Sequence, residues 1–227
     1  MKDIYADFFI QYCRFISKDL ISTFDTRLGR NTKVISVFFR VFFVISKKDT
    51  NKSSKEKAIV ILKKLIDSYL SDGDVNIYSS MYHSLECSNK DFTQPLHLLK
   101  PLGTSLNDFA EAVKDFNKIF ENQLFKQGMI EFNNALAHLF AGFSTSSTNL
   151  DLNIKKASTH LYRGALDYYK TIIKKKESFT HEQKEELIKI RTLEIASIGL
   201  KISNSDKDDI LVHYRDFARK LYKINNS

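Results

Sequence analysis

Apolar residues recur every three or four positions in segment after segment of this chain, and that spacing limits its fold more than any other feature. Ile4, Phe8, Tyr12, Phe15, Ile16 and Leu20 form one such stripe, and Ala58, Leu62, Leu65, Ile66 and Tyr69 form another. Further stripes are Leu106, Phe109, Val113, Phe116 and Phe120, then Met129, Phe132, Leu136, Leu139, Phe140 and Phe143. Leu161, Ala165, Tyr168 and Ile172 continue the pattern, and Ile210, Tyr214, Phe217 and Leu221 end it. Side chains at this period share one side of an α-helix, whereas a strand sends alternate residues to opposite faces. Strand-rich folds also need tight turns, and the 227 residues include only 7 glycines and 2 prolines. The expected fold is an all-α bundle of about eight helices.

Four helix starts carry a capping-box pattern, Ser53-x-x-Glu56, Ser105-x-x-Asp108, Thr180-x-x-Gln183 and Ser205-x-x-Asp208. Asp72-Gly73 marks a helix end, Gly128 a break or kink, and Ser144 to Asn149 a polar loop. The run Val34 to Ile45 is apolar nearly all round, with Arg40 its only charge. Such a segment suits a central helix or a subunit interface, although its β-branched and aromatic content leaves a strand open. It is 12 residues long, and a bilayer span needs about 20. It also lacks the wet face of a helix lying on a membrane. Residues 74–104 are the least regular, with a short helix over Val75–Leu85 followed by Pro95 and Pro101. This stretch divides the chain into an N-terminal half (1–90), a linker (91–104) and a C-terminal bundle (105–227), two halves expected to be loosely joined.

The formal net charge of +8 is unevenly spread. Residues 1–64 carry +8, residues 65–154 carry −6 and residues 155–227 carry +6. This layout leads us to expect separate surface potentials, with basic faces toward phosphate backbones or acidic proteins. Lys47, Lys48, Lys52, Lys55 and Lys57 surround one loop and helix start, with Lys63 and Lys64 following. Lys174, Lys175 and Lys176 end a long helix, where they also complement its dipole. Arg215, Arg219 and Lys223 recur at four-residue spacing beside Lys220, as a stripe that could track phosphates. The candidate nucleic-acid contacts are thus Lys47, Lys48, Lys52, Lys55, Lys174, Lys175, Arg215, Arg219 and Lys223. Acidic residues within the first eight positions argue against a targeting peptide. Two cysteines exclude a disulfide scaffold. The expected location is the cytoplasm, with both thiols reduced.

Chemistry-bearing patterns are few. No glycine falls in a phosphate-binding loop and no serine or cysteine in a nucleophile elbow, so no cofactor is expected. His83 and Cys87 stand one turn apart with Glu86 and His97 nearby, but no second ligand pair lies close in sequence, and no metal site is assigned. His160, Arg163 and Asp167 share a helical face and could do acid–base work on a phosphodiester. An alternative reading makes His160 a bonded bundle residue and Arg163–Asp167 an ion pair. Glu131, Asn134 and His138 form a similar stripe one helix earlier. The two helices echo each other: Ala135-x-x-His138-Leu139-Phe140-x-Gly142 recurs 22 residues later as Ala157-x-x-His160-Leu161-Tyr162-x-Gly164. If they pack antiparallel, the glycines let the backbones approach and both stripes face one groove.

The Ala157-x-x-His160-Leu161-Tyr162 lettering resembles the helical HEPN superfamily over about 40 residues, which would imply an RNase. That family places an arginine four to six residues before a histidine. No arginine here has a histidine at that distance downstream, and His160 precedes Arg163. Three functions stay open. The leading one is a non-catalytic accessory or adaptor subunit whose basic face meets nucleic acid or an acidic protein. The others are a helical RNase using His160, Arg163, Asp167 and His138, and a structural homo-oligomer built on residues 34–45.

Overall fold

The structure, a computed structural model, describes residues 4–25, 31–71, 102–121, 123–144, 149–197 and 204–224, with only the backbone path given for 20–25 and 204–209. Eight helices are present among them: α1 (Ile4–Asp25), α2 (Thr32–Ser46), α3 (Lys52–Ser71), α4 (Gly103–Ile119), α5 (Lys126–Phe143), α6 (Leu150–Lys174), α7 (His181–Ser197) and α8 (Asn204–Tyr222). The protein is an all-α bundle. No helix among the described residues is long and apolar enough to cross a membrane. The segments read as the Val75–Leu85 helix, the His83/Cys87 pair and both prolines lie outside the described residues. So does the linker up to residue 101.

Residues 34–45 form a helix because tertiary burial outweighs their strand propensity. Val34, Ile35, Phe38, Phe39, Val41, Phe42 and Ile45 of α2 are buried, while Arg40 is exposed. Phe38 meets Phe8 and Tyr12 of α1, and Phe39 meets Phe109 of α4 and Phe132 of α5 at ring separations of 5.3 and 5.2 Å. Most apolar side chains of α2 are therefore spent inside the chain, with Val37, Phe43 and Val44 half-buried, and aromatic pairs gain about 0.5–1.5 kcal/mol beyond burial. Tyr12 Oη donates to the backbone oxygen and to Oδ1 of Asn133, 3.1 Å each, tying α1 to α5. Buried residues from α1 to α8 belong to one continuous core.

Around that core α5 packs along α6, α6 against α4 and α8, α3 against α1 and α2, and α7 on α8. Only the third of the four anticipated caps forms as drawn among the described side chains. Thr180 N donates to Gln183 Oε1 (3.0 Å) and Gln183 N to Thr180 Oγ1 (3.2 Å), a reciprocal capping box. At α3 the cap is Asn51, whose Oδ1 accepts from Ser54 N at 2.8 Å, so Ser53 lies inside the helix. Ser105 also lies inside its helix and shares a 2.6 Å hydrogen bond with Ser158 of α6. The side chains of Ser205 and Asp208 lie outside the described set.

Gly128 does not break a helix. The helix before it ends at Ile119 and α5 begins at Lys126, so Gly128 sits in the first turn of α5. A Cβ there would stand 2.2 Å from the Tyr168 ring, which packs edge-on against Phe109, Phe116 and Phe125. Its missing side chain makes room for that ring.

Candidate functional site

The helices α5 and α6 run antiparallel, and the 22-residue echo becomes a local two-fold relation between them. A Cβ on Gly142 would stand 3.0 Å from Asn153 Cβ, and one on Gly164 would stand 3.2 Å from Glu131 Cβ. Asn153 is Glu131 shifted by 22, so the two contacts are the same contact made twice. Close approach at both glycines sets the spacing of the seam. His138 and His160, also 22 apart, meet across it with ring centroids 5.3 Å apart and planes inclined by 19°.

Their hydrogen bonds repeat the relation. His160 Nδ1 lies 2.7 Å from Glu131 Oε2, and His138 Nδ1 lies 3.2 Å from Asn153 Oδ1. A carboxylate only accepts, so His160 Nδ1 carries the hydrogen. The Asn153 amide donates through Nδ2 to Asn149 O at 3.1 Å, which leaves Oδ1 as the acceptor for His138. Each neutral ring is therefore fixed as the Nδ1–H tautomer, with its lone pair on Nε2. Glu131 is buried, Gln127 Nε2 donates to its other oxygen at 3.3 Å, and both imidazoles are half-buried. A nitrogen held this way can take a proton or a metal ion.

Of the other residues singled out beside His160, Arg163 is exposed and Asp167 half-buried. Burial holds the Asp167 carboxyl above the usual range, Lys170 opposes that, Glu131 adds to it, and Arg163 and Lys174 oppose it more weakly. His160 is bonded to Glu131 rather than to Asp167. Asn153 was not singled out from the sequence, yet applying the echo's own offset to Glu131 points to it.

The cations divide into two groups. Arg219 Nε donates to Asp115 Oδ2 at 2.7 Å and its Nη2 lies 2.9 Å from Glu111 Oε1, both acids belonging to α4. The Arg219 side chain is 13% exposed and that of Asp115 3%. Tyr169 Oη also donates to Asp115, at 3.2 Å. Arg215 pairs with Glu111 and Asp216, and Lys220 with Glu186. Arg215 and Arg219 of the α8 stripe thus meet acids of the chain's acidic middle. Burial works against both groups of the Glu111–Arg219 pair. Arg219 and Arg215 nevertheless hold Glu111 low, and Asp115 and Glu111 push Arg219 up. Lys175 donates to Gln123 and lies over the Phe120 ring, while Lys174 and Lys223 are exposed.

The second group lies around α3. Lys47, which lies over the Phe43 ring, is exposed along with Lys48, and Lys52 pairs with Glu56 at 3.7 Å. Lys55 is half-buried. Leu62 and Ile66 of α3 face the core, which turns Lys57, Val60, Ile61 and Lys64 outward with Lys63 at their flank. Val60 is 53% exposed and Ile61 61%. Among the described residues Lys57, Lys63 and Lys64 make no ion pair. The sequence reading chose Lys47 and Lys48 before this helix and Lys52 and Lys55 in its first turn, noted Lys57, Lys63 and Lys64, and passed over the two aliphatic residues among them. The signal was available, since Val60 and Ile61 fall half a turn from the Leu62/Ile66 stripe.

No family model matches this chain, and no curated protein or solved structure matches it.

Proposed function

We propose that this protein is a non-catalytic helical adaptor, a subunit of a larger assembly, whose recognition surface is the outward face of α3. One observation carries the reading. Two large aliphatic side chains, Val60 and Ile61, stand more than half exposed within a frame of lysines at 57, 63 and 64 that make no ion pair among the described residues. Lysines alone are an ordinary solvated face, and scattered single apolar residues are ordinary too. Their combination on one face suits a partner that is both acidic and apolar.

That partner is an acidic protein segment rather than a nucleic acid. Tracking a phosphate backbone draws on cations and gains nothing from aliphatic side chains beside them. An acidic helix or loop with apolar residues on one side uses both, the charges steering encounter and the aliphatics gaining from burial. Covering the exposed part of Val60 and Ile61 is worth about 1–2 kcal/mol for each side chain before ordering costs. The arginines of α8 add little, because their charges are held by Asp115 and Glu111.

The test is the mass of the natively purified protein by size-exclusion chromatography with light scattering. The expected result is a complex heavier than the 26.3 kDa chain, unaffected by nuclease and lost in Ile61→Asp and in Lys57→Glu/Lys64→Glu. A mass of the lone chain, or a complex dissolved by nuclease, would overturn the reading.

A further inference from the structure

We infer that His138 and His160 form a clamp for a divalent transition-metal ion across the α5–α6 seam. Each imidazole spends Nδ1 on an acceptor of the opposite helix, and neither Nε2 has a partner among the described residues. Residues that bind metals through imidazole commonly show this arrangement, with the second ring nitrogen donating to a carboxylate or carbonyl that fixes the ring. Glu131 Oε2 and Asn153 Oδ1 already occupy those outer positions.

The spacing fits as well. Imidazole nitrogen binds zinc at about 2.0–2.1 Å, which for a tetrahedral angle puts two ring centres about 5 Å apart. The observed separation is 5.3 Å. Two neutral nitrogen donors select Zn²⁺, Ni²⁺ or Cu²⁺ over Mg²⁺ or Ca²⁺, which prefer oxygen. Among the described residues no three histidine, cysteine, aspartate or glutamate side chains gather as a metal site. The clamp therefore supplies two ligands and leaves the other positions to water or to an external group. Glu131 and Asp167 contribute negative charge near the seam, while Arg163 and Lys156 are exposed close by on α6. The site takes the metal without loss of a proton from Nε2, and acid competes for the same lone pairs.

The experiment is calorimetric titration of the full chain with Cu²⁺, Ni²⁺ and Zn²⁺, beside the His138→Ala and His160→Ala variants. One equivalent of bound metal is expected in the parent, with affinity lost at least tenfold in each variant and unchanged in His213→Ala. Spectra of the Cu²⁺-loaded parent should show two imidazole nitrogens on one ion. If either alanine variant fails to fold, Glu131→Gln serves instead, with affinity reduced about 10–100-fold because only the outer partner changes. Absence of binding, or the same stoichiometry and affinity in the parent and in the His138 and His160 variants, would overturn the inference.

Discussion

Asp115 shows how a single residue can absorb charge that looks available for binding. It is an acid on the apolar stripe of α4, beside Phe116, and it is buried with Arg219 and Tyr169 as its partners. Removing one member of such a pair leaves the other charge stranded, which is why the pair persists. The carboxylates around these networks set the acid limb of stability. Burial raises Glu111 and Glu194, yet Arg219 and Arg215 in one case, and Lys170, Tyr214 and Arg191 in the other, hold them below their ordinary 4.5. A carboxylate lowered by folding stabilises fully above its unfolded value, and that contribution is lost as pH falls through the folded value. Asp167 acts in the opposite sense. Its folded value lies above 3.8, mainly through burial, so its ionisation costs stability as pH rises. Urea midpoints at pH 7 and pH 3.5 check both signs. Glu111→Gln should narrow the difference between the two pH values and Asp167→Asn should widen it; equal differences in parent and variants would contradict these assignments.

At the scale of elements, α5 and α6 pack closely because glycine stands where a backbone or ring approaches. Adding one methyl group at Gly128 or Gly164 places it 2.2 Å from Tyr168 or 2.5 Å from Phe109, both buried rings. Alanine gains about 1 kcal/mol of helix propensity over glycine, while overpacking costs about 1–3 kcal/mol. Gly164→Ala and Gly128→Ala should each lower stability, by up to about 2 kcal/mol in denaturant melts. Gly103→Ala, with open space around its Cβ, should not lower it. A stabilised Gly164→Ala protein would mean that the seam is looser than described. This is also where the sequence is partly legible. The apolar stripes locate the helices because burial repeats at the helical period. The caps at Ser53 and Ser105 were misassigned because a cap depends on where the chain turns, and Asn51 and the Ser105–Ser158 contact reflect packing between elements. The imidazole seam was half visible. The echo pairs His138 with His160 and its offset pairs Glu131 with Asn153, but that Asn153 accepts from His138 depends on how the two helices pack.

At the scale of the whole molecule, two arginines of the basic C-terminal segment fold onto acids of the acidic middle segment among the described residues. Arg215 and Arg219 reach back to an acidic helix 104 residues earlier, a pairing set by topology and invisible to local spacing. Lys57, Lys63 and Lys64 on α3 make no ion pair among the described residues, and there two exposed aliphatic residues accompany them. The adaptor reading rests on that face making direct contact with another protein. A photo-crosslinking amino acid at position 61, in cells that make this protein, tests the contact itself. The account predicts one protein adduct at position 61 that disappears when Lys57 and Lys64 are reversed to glutamate, and none from position 152, an exposed leucine on α6. Nucleic acid captured at position 61, or no adduct there at all, would contradict it.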